Sequence, residues 1–183
     1  MLRRRPTSRA GVAAVEVAII TAFFLVPLVI GVWEVGRLVQ VQQIVSNSAR
    51  EGARVAGQGY TINSTGTPIQ VMVSTGNPNV KDVVYRYLIG AGLTNLQKSD
   101  VTVTFQFLAP DSNGVTATEP YLGEKGQPFS VTVTIPWTKV RWINLGVVNP
   151  TTVSFVVTWR MLVDDKFTVN ADLPAPDGTT SVY

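Results

Sequence analysis

The sequence VAIITAFFLVPLVIGVW, residues 17–33, is an uninterrupted apolar segment that decides the fold of this chain. Residues 12–15 extend the apolar run toward the N-terminus and are separated from it only by Glu16. As a helix, residues 12–33 would be about 33 Å long at a rise of about 1.5 Å per residue, which matches a hydrocarbon core of roughly 30 Å. The segment therefore predicts one membrane-spanning helix.

Four arginines precede this helix with no acidic residue among them: Arg3, Arg4, Arg5 and Arg9. They account for the net charge of +3, because residues 12–183 carry 11 basic and 12 acidic side chains. A basic flank on one side predicts a cytoplasmic N-terminus and an extracytoplasmic location for everything after residue 33. The same distribution argues against nucleic-acid binding, since the rest of the chain taken together has no excess of positive charge.

A secretory signal peptide is the alternative interpretation of residues 1–33, because it also combines a basic and an apolar region. The apolar run is longer than the usual stretch of roughly 7–15 residues, and no A-x-A cleavage site follows it. The sequence continues to Gly57 without a proline. We therefore favour an anchor that continues as a helix beyond the membrane.

The continuation carries a narrow stripe of apolar and small residues at steps of three and four, which indicates one contact face of a helix. We expect this helix to run from residue 12 to about residue 57, with a kink at Pro27 and an end at Gly57 and Gly59. The stripe can pack on the protein's own domain or allow a neighbouring helix to approach closely. It consists of Leu38, Val41, Val45, Ser48, Gly52 and Val55.

Residues 60–78 are rich in Thr, Ser, Gly, Asn and Pro and predict a loop with a short strand at 69–73. A second amphipathic helix is predicted after it, because apolar residues recur there at helical spacing. These residues are Val80, Val83, Val84, Tyr87 and Leu88.

Apolar and polar residues then alternate in residues 101–107, 129–137 and 153–161, which predicts three strands with one buried face. The fold class is therefore α+β and pilin-like. A long N-terminal transmembrane helix is followed by a small extracytoplasmic domain, in which one amphipathic helix covers a three- to four-stranded antiparallel sheet.

The residue types restrict the chemistry of the chain. It has no Cys and no His, which excludes thiol chemistry, zinc–thiolate sites and Ser-His-Asp catalysis. Asp164 and Asp165 are adjacent, so in a strand they face opposite ways and cannot bind one metal ion together. The sequence Asp111-Ser-Asn113-Gly114 is more typical of a turn than of a calcium loop. We predict no catalytic residue, no metal site and no cofactor. A membrane-tethered hydrolase is a competing hypothesis without a nucleophile motif.

Glu16 is the anomaly in the apolar run, because an unpaired carboxylate in a membrane costs several kcal/mol. It can lie at the level of the lipid head groups, or it can have a partner. Cleavage after Gly11 would make Val12 the N-terminal residue, with an α-amine that is largely protonated near neutral pH. In a bundle of such helices, Glu16 of one subunit can neutralise the amine of its neighbour and fix the axial register.

Five charged residues follow the apolar segment: Glu34, Arg37, Arg50, Glu51 and Arg54. We interpret them as a solvated helix face with weak ion pairs such as Glu34–Arg37. A role in docking between subunits is the alternative.

The basic leader, Gly11, Glu16 and the apolar helix together resemble the class III signal of type IV pilins and pseudopilins. More specifically, RAGVAAVEVAII and WEVGRLVQVQQIVSNSAREGARVA resemble the TadE-like family of tight-adherence pilus systems. The residues that carry this resemblance downstream of the membrane are Glu34, Gly36, Arg37, Arg50, Glu51, Gly52 and Arg54.

The resemblance implies a pseudopilin-like subunit of the bacterial inner membrane, needed for pilus assembly or secretion. Gly11 and Val12 would be the processing site of a prepilin peptidase, and the other implied partners are pilins or pseudopilins, the pilus assembly platform and the lipid bilayer. The chain then divides into a leader (1–11), a transmembrane helix with its extension (12–57) and an extracytoplasmic head (58–183). The alternative is a single-pass anchored envelope binding protein that does not assemble.

Overall fold

The computed structural model describes residues 9–142 and 149–162. Helix α1 (Arg9–Ile20), a π-helical turn (Thr21–Leu25) and helix α2 (Val26–Gln58) follow one another without a break. In the π-helical turn, the N–H of Val26 donates to the carbonyl of Thr21, five residues back. Pro27 has no N–H to donate and its ring crowds the preceding turn, so the helical pattern changes immediately before the proline at which a kink was predicted.

Helix α2 ends at Gln58, within one residue of the predicted end. Gly59 follows with φ at +63°, in the left-handed region, and its N–H donates to the carbonyl of Ala56. Glycine adopts this conformation without a steric penalty because it has no Cβ.

The segment predicted as a loop with one short strand contains a β-hairpin. Strand β1 (Tyr60–Ile62) pairs antiparallel with strand β2 (Pro68–Gln70). The side-chain oxygen of Asn63 closes the turn by accepting hydrogen bonds from the N–H groups of Thr65 and Thr67, at 3.0 and 2.7 Å. Each strand has three residues, which is too few to show a clear alternation in the sequence.

The predicted second helix is helix α3 (Val80–Gly90). Asn79 caps its N-terminus, because its side chain accepts a hydrogen bond of 2.7 Å from the N–H of Asp82. The buried face is narrower than predicted, since Tyr87 is exposed. It consists of Val80, Val84 and Leu88.

Strands β3 (Thr102–Phe107), β4 (Pro128–Pro136) and β5 (Thr152–Arg160) form an antiparallel sheet with the order β3-β4-β5. The predicted alternation is clearest in the central strand, where every second residue is buried. Phe105, Phe107 and Phe129 pack together on the buried face, with ring centroids 4.9–6.4 Å apart. The α+β fold predicted from the sequence is confirmed.

The apolar face of the sheet and helix α3 pack against the second half of helix α2, and the stripe predicted on that helix lies in this core. Leu38 is partly buried there, whereas Val41, Val45, Ser48, Gly52 and Val55 are buried. The stripe therefore packs within its own domain. The basic side chains of the leader, the Asp164–Asp165 pair and the C-terminal tail lie outside the described residues.

Candidate functional site

The first half of the long helix is free of contact with the head. Residues 11–29 are all exposed, and most of them are large and apolar. Gly11 and Val12 lie on the exposed surface of helix α1. An apolar surface of this length requires lipid or a protein partner to cover it.

Glu16 lies within this exposed surface, about 1.4 helical turns after Gly11. Nothing in the described part of the head packs against it. Any group that neutralises its carboxylate must come from the solvent, from the lipid head groups or from another molecule. This geometry leaves both the head-group interpretation and the pairing interpretation open.

Glu34 and Arg37 are buried, so the prediction of a solvated face is wrong for both. Their exposed fractions are 7% and 8%. They face the segment that follows strand β4, which covers the helix at the point where the apolar run ends. An exposed ion pair between them would contribute little to stability. Once the two charges are buried, the stability of the fold depends strongly on whether each of them has a partner.

Arg37 makes three contacts, two of which connect helix α2 to this segment. Its Nε donates a hydrogen bond of 3.1 Å to the carbonyl of Val140, and its Nη1 donates one of 2.9 Å to Oε1 of Gln40. Its guanidinium lies 4.4 Å from the ring centroid of Trp142, a cation–π contact. Trp142 also packs edge-on against Trp33, with centroids 6.2 Å apart.

A cavity of about 110 Å³ lies at this junction, and we call it the junction cavity. Helix α2 lines it with Ile30, Trp33, Glu34 and Arg37. The other wall consists of Trp137, Arg141 and Trp142. The sequence analysis missed this second wall as part of a site. The signal that could have indicated it is the presence of two tryptophans just after strand β4, since tryptophan is enriched where a protein meets the membrane interface.

Arg50, Glu51 and Arg54, the other charged residues that carry the family resemblance, are arranged differently from Glu34 and Arg37. Arg54 and Glu51 form a bidentate ion pair, in which Nη2 and Nε of the arginine donate to the two carboxylate oxygens at 2.7 and 3.0 Å. Arg50 is exposed on the same helix. For these three residues the predicted solvated face with a weak pair agrees with the structure, although the pair is Glu51–Arg54.

Gly36 and Gly52, the two glycines that carry the family resemblance, differ in burial. Gly36 is exposed, and a Cβ added there would meet no atom within 4 Å. Gly52 is buried, and a Cβ there would lie 2.7 Å from Cγ2 of Val84 and 3.3 Å from Cγ1 of Val80. Gly52 therefore allows helix α3 to approach helix α2 closely.

The described residues contain no cluster of acidic side chains that could hold a metal ion. Asp111 begins a turn, as predicted. Its Oδ1 accepts hydrogen bonds from the N–H groups of Asn113 and Val115, at 3.0 and 2.7 Å, and Gly114 has φ at +78°. These contacts use the carboxylate within the loop.

Within the described residues, one helix, Gly11–Gln58, is long and apolar enough to cross a membrane. An α+β head follows it, so the fold is that of a single-pass anchored protein with a small head domain. The family model described as TadE-like protein matches residues 11–54, which confirms the resemblance seen in the sequence. No curated protein and no solved structure shows a significant match to the chain.

Proposed function

We propose that this chain is a pseudopilin-like membrane subunit needed for assembly of a tight-adherence type IV pilus or a related secretion apparatus. The observation that carries the proposal is the exposed apolar part of the helix, residues 11–29, which contains a single carboxylate, Glu16. The TadE-like match begins at Gly11. Assembly would give this carboxylate a partner, whereas a helix that only anchored a binding domain would leave it to the lipid head groups or the solvent.

Maturation is the first step of the proposed mechanism. A prepilin peptidase cuts between Gly11 and Val12, which removes the basic leader and creates a positively charged α-amine at the membrane surface. The mature protein stays in the bacterial inner membrane with its N-terminus on the cytoplasmic side and its head outside.

Lateral packing is the second step. The exposed apolar surface of residues 12–29 packs against equivalent helices of pilins or pseudopilins at the assembly platform. The protonated α-amine of the neighbouring subunit donates a hydrogen bond to the carboxylate of Glu16, so that each charge is buried only when paired. The chain acts by assembly and has no catalytic step in this proposal.

The mature N-terminus tests the first step. Mass spectrometry of the chain extracted from membranes of cells that contain the peptidase should give a start at Val12. Gly11→Leu should leave the leader in place, because a large side chain replaces glycine at the cleaved bond. Gly31→Ala is the matched control, since it changes a glycine of the same helix that has no atom within 4 Å of a Cβ position. An intact Met1, or a start beyond residue 30, would contradict the proposal.

The charge of Glu16 tests the second step. Glu16→Gln keeps the size of the side chain and removes its charge, so we expect normal membrane insertion and processing but loss of co-sedimentation with sheared filaments or the assembly platform. Thr21→Val is the control, because it alters another exposed polar residue of the same helix. If the Gln variant assembles normally, the pairing mechanism is wrong. A wild-type chain that never leaves the monomeric state would favour the anchored binding protein.

A further inference from the structure

A groove runs between the exposed face of helix α2 and strand β5, and we call it the helix–strand groove. Its volume is about 670 Å³, and it extends from Val39 to Arg50 along the helix. This distance is about 16 Å, the length of about five residues of extended chain. Apart from Val39, the helix wall is polar, and it consists of Gln42, Gln43, Ser46, Asn47 and Arg50.

Strand β5 forms the other wall, and it is an edge strand. Among the described residues it pairs with β4 alone. Ser154 and Phe155 both line the groove, although as adjacent residues of a strand they point to opposite faces of the sheet. The groove therefore lies along the backbone edge of β5, where an edge strand offers N–H and C=O groups to an extended segment.

The groove also carries a positive charge that the described part of the head does not neutralise. Arg50 is the one charged residue among those that line it. Its side chain is exposed and makes no hydrogen bond or ion pair with another described residue. A carboxylate complements a guanidinium in both charge and geometry, so an acidic segment fits this groove.

Residues 163–183 are such a segment, and they lie outside the described structure. They contain four aspartates and one lysine, which gives them a net charge of −3. Strand β5 ends at Arg160, so the segment starts beside the edge that it would occupy. This short connection keeps its effective concentration at the groove high.

Within this segment, the sequence FTVNADL, residues 167–173, alternates between apolar and polar side chains, and Pro174 follows it. Such alternation is typical of a strand, and a proline is typical of its end. In an extended chain the polar residues share one face, which matches the polar helix wall of the groove. They are Thr168, Asn170 and Asp172.

We propose that residues 167–173 bind in the helix–strand groove of their own chain, as a fourth strand antiparallel to β5. A connection made by residues 161–166 places Asp172 opposite Phe155, on the face of the sheet that packs on helix α2. The carboxylate of Asp172 then pairs with Arg50. Ala171 lies opposite Val156, which is 57% exposed on the outer face of the sheet. The inference concerns the head alone, so failure of the assembly mechanism would leave it standing.

Disulfide trapping in the full chain in detergent tests the proposal. The chain has no Cys, so a pair of introduced cysteines can form only one intramolecular disulfide. Asn47→Cys is combined with a single cysteine at each position from 168 to 173 in turn, and the rate of disulfide formation under mild oxidation is measured on non-reducing gels. Positions 170 and 172 should react several times faster than positions 169, 171 and 173, because alternate residues of a strand face the helix. The product should be monomeric.

Arg86→Cys provides the matched control for the helix position. Arg86 is an exposed residue of helix α3, which contacts strand β3 at the opposite edge of the sheet. Paired with the same cysteines at 168–173, it should react slowly and without alternation. A thermal melt of each variant shows that the chain is folded.

The ion pair is tested in the chain that carries Asn47→Cys and Asn170→Cys. Arg50→Glu should slow disulfide formation about two- to fivefold, the change that corresponds to an exposed ion pair of up to about 1 kcal/mol. Adding Asp172→Lys to Arg50→Glu should restore the rate, because the two charges are then exchanged. Equal rates at all six positions, equal rates in the Arg86→Cys control, or no effect of Arg50→Glu would each overturn the proposal. Disulfide-linked dimers would overturn binding within one chain, since the segment of one copy would then occupy the groove of another.

Discussion

Replacement of Gly52 by alanine, compared with the same change at Gly36, tests whether the helix motif serves the fold of the monomer. At Gly52 the new methyl group would lie 2.7 Å from Cγ2 of Val84, a fully buried and β-branched side chain that has little rotameric freedom. Overpacking of this kind costs about 1–3 kcal/mol. At Gly36 the methyl group meets no atom within 4 Å.

Both changes gain about 0.5–1 kcal/mol of helix propensity, because glycine is a poor helix former. This gain cancels when the two variants are compared, and the difference between them isolates the overpacking at Gly52. We therefore expect Gly36→Ala to raise the free energy of unfolding by about 0.5–1 kcal/mol. Gly52→Ala should lower it by up to about 2.5 kcal/mol, the overpacking cost less the propensity gain.

Thermal unfolding of the full chain in detergent, followed by circular dichroism and by tryptophan fluorescence, measures this difference. The melting temperature should rise for Gly36→Ala and fall for Gly52→Ala. If both variants melt at the same raised temperature, the close contact between helices α2 and α3 does not exist as described. If Gly52→Ala unfolds normally and only assembly is lost, Gly52 belongs to an intersubunit surface and the packing argument is refuted.

Two further predictions concern the head and its junction with the helix. The hydrogen bond from Lys98 lowers the pKa of Asp82 in the folded protein. This carboxylate therefore stabilises the fold at pH values above its unfolded pKa of about 3.9. The contribution is lost as the pH falls through the lower pKa of the folded state. Asp82→Asn should therefore destabilise the head at pH 7 and make its stability depend less on pH below about 4. An acid titration followed by circular dichroism measures both effects. If the variant loses stability with falling pH as the wild type does, the carboxylate of Asp82 does not contribute in this way. Arg37→Met should cost about 2–3 kcal/mol in denaturant unfolding, because it leaves the carbonyl of Val140 without its charged donor and removes the contact with Trp142. A change below about 0.5 kcal/mol, the level of an ordinary surface substitution, would show that the junction contributes little to stability.

The sequence was sufficient for the elements whose residues repeat with a regular period over several turns or pairs. The central strand alternates over nine residues, and the stripe from Leu38 to Val55 has the spacing of one helix face. Short elements were predicted less well, because three residues cannot establish a period. Strand β1 was missed, and the strand predicted at 69–73 overlaps strand β2 but has different bounds. Spacing also does not show how wide the buried face of a helix is. Tyr87 has the spacing of the buried residues of α3 but is exposed.

The environment of Glu34 and Arg37 could not be read from local spacing. The two residues are three apart on a helix, which is typical of an exposed pair. Their burial depends on the contact between Arg37 and Val140, 103 residues away in the sequence. Only the packing of a distant segment on the helix distinguishes an exposed pair from a buried junction, and no periodicity encodes that contact.

The first half of the long helix is exposed and one face of its second half is covered by the head, which restricts how this chain can assemble. Its small residues Ser48 and Gly52, which would suit close packing between subunits, are already covered by the head. Within the membrane-spanning part of the helix, close lateral contact is made by the exposed residues 12–29, where Glu16 is the only charged side chain. In the proposed assembly, the register between neighbouring subunits then depends on this one carboxylate, because an apolar surface alone permits sliding along the helix axis. A shift of the carboxylate by one turn, through Glu16→Val combined with Ile20→Glu, should accordingly abolish co-assembly with wild-type subunits even though the total charge is unchanged.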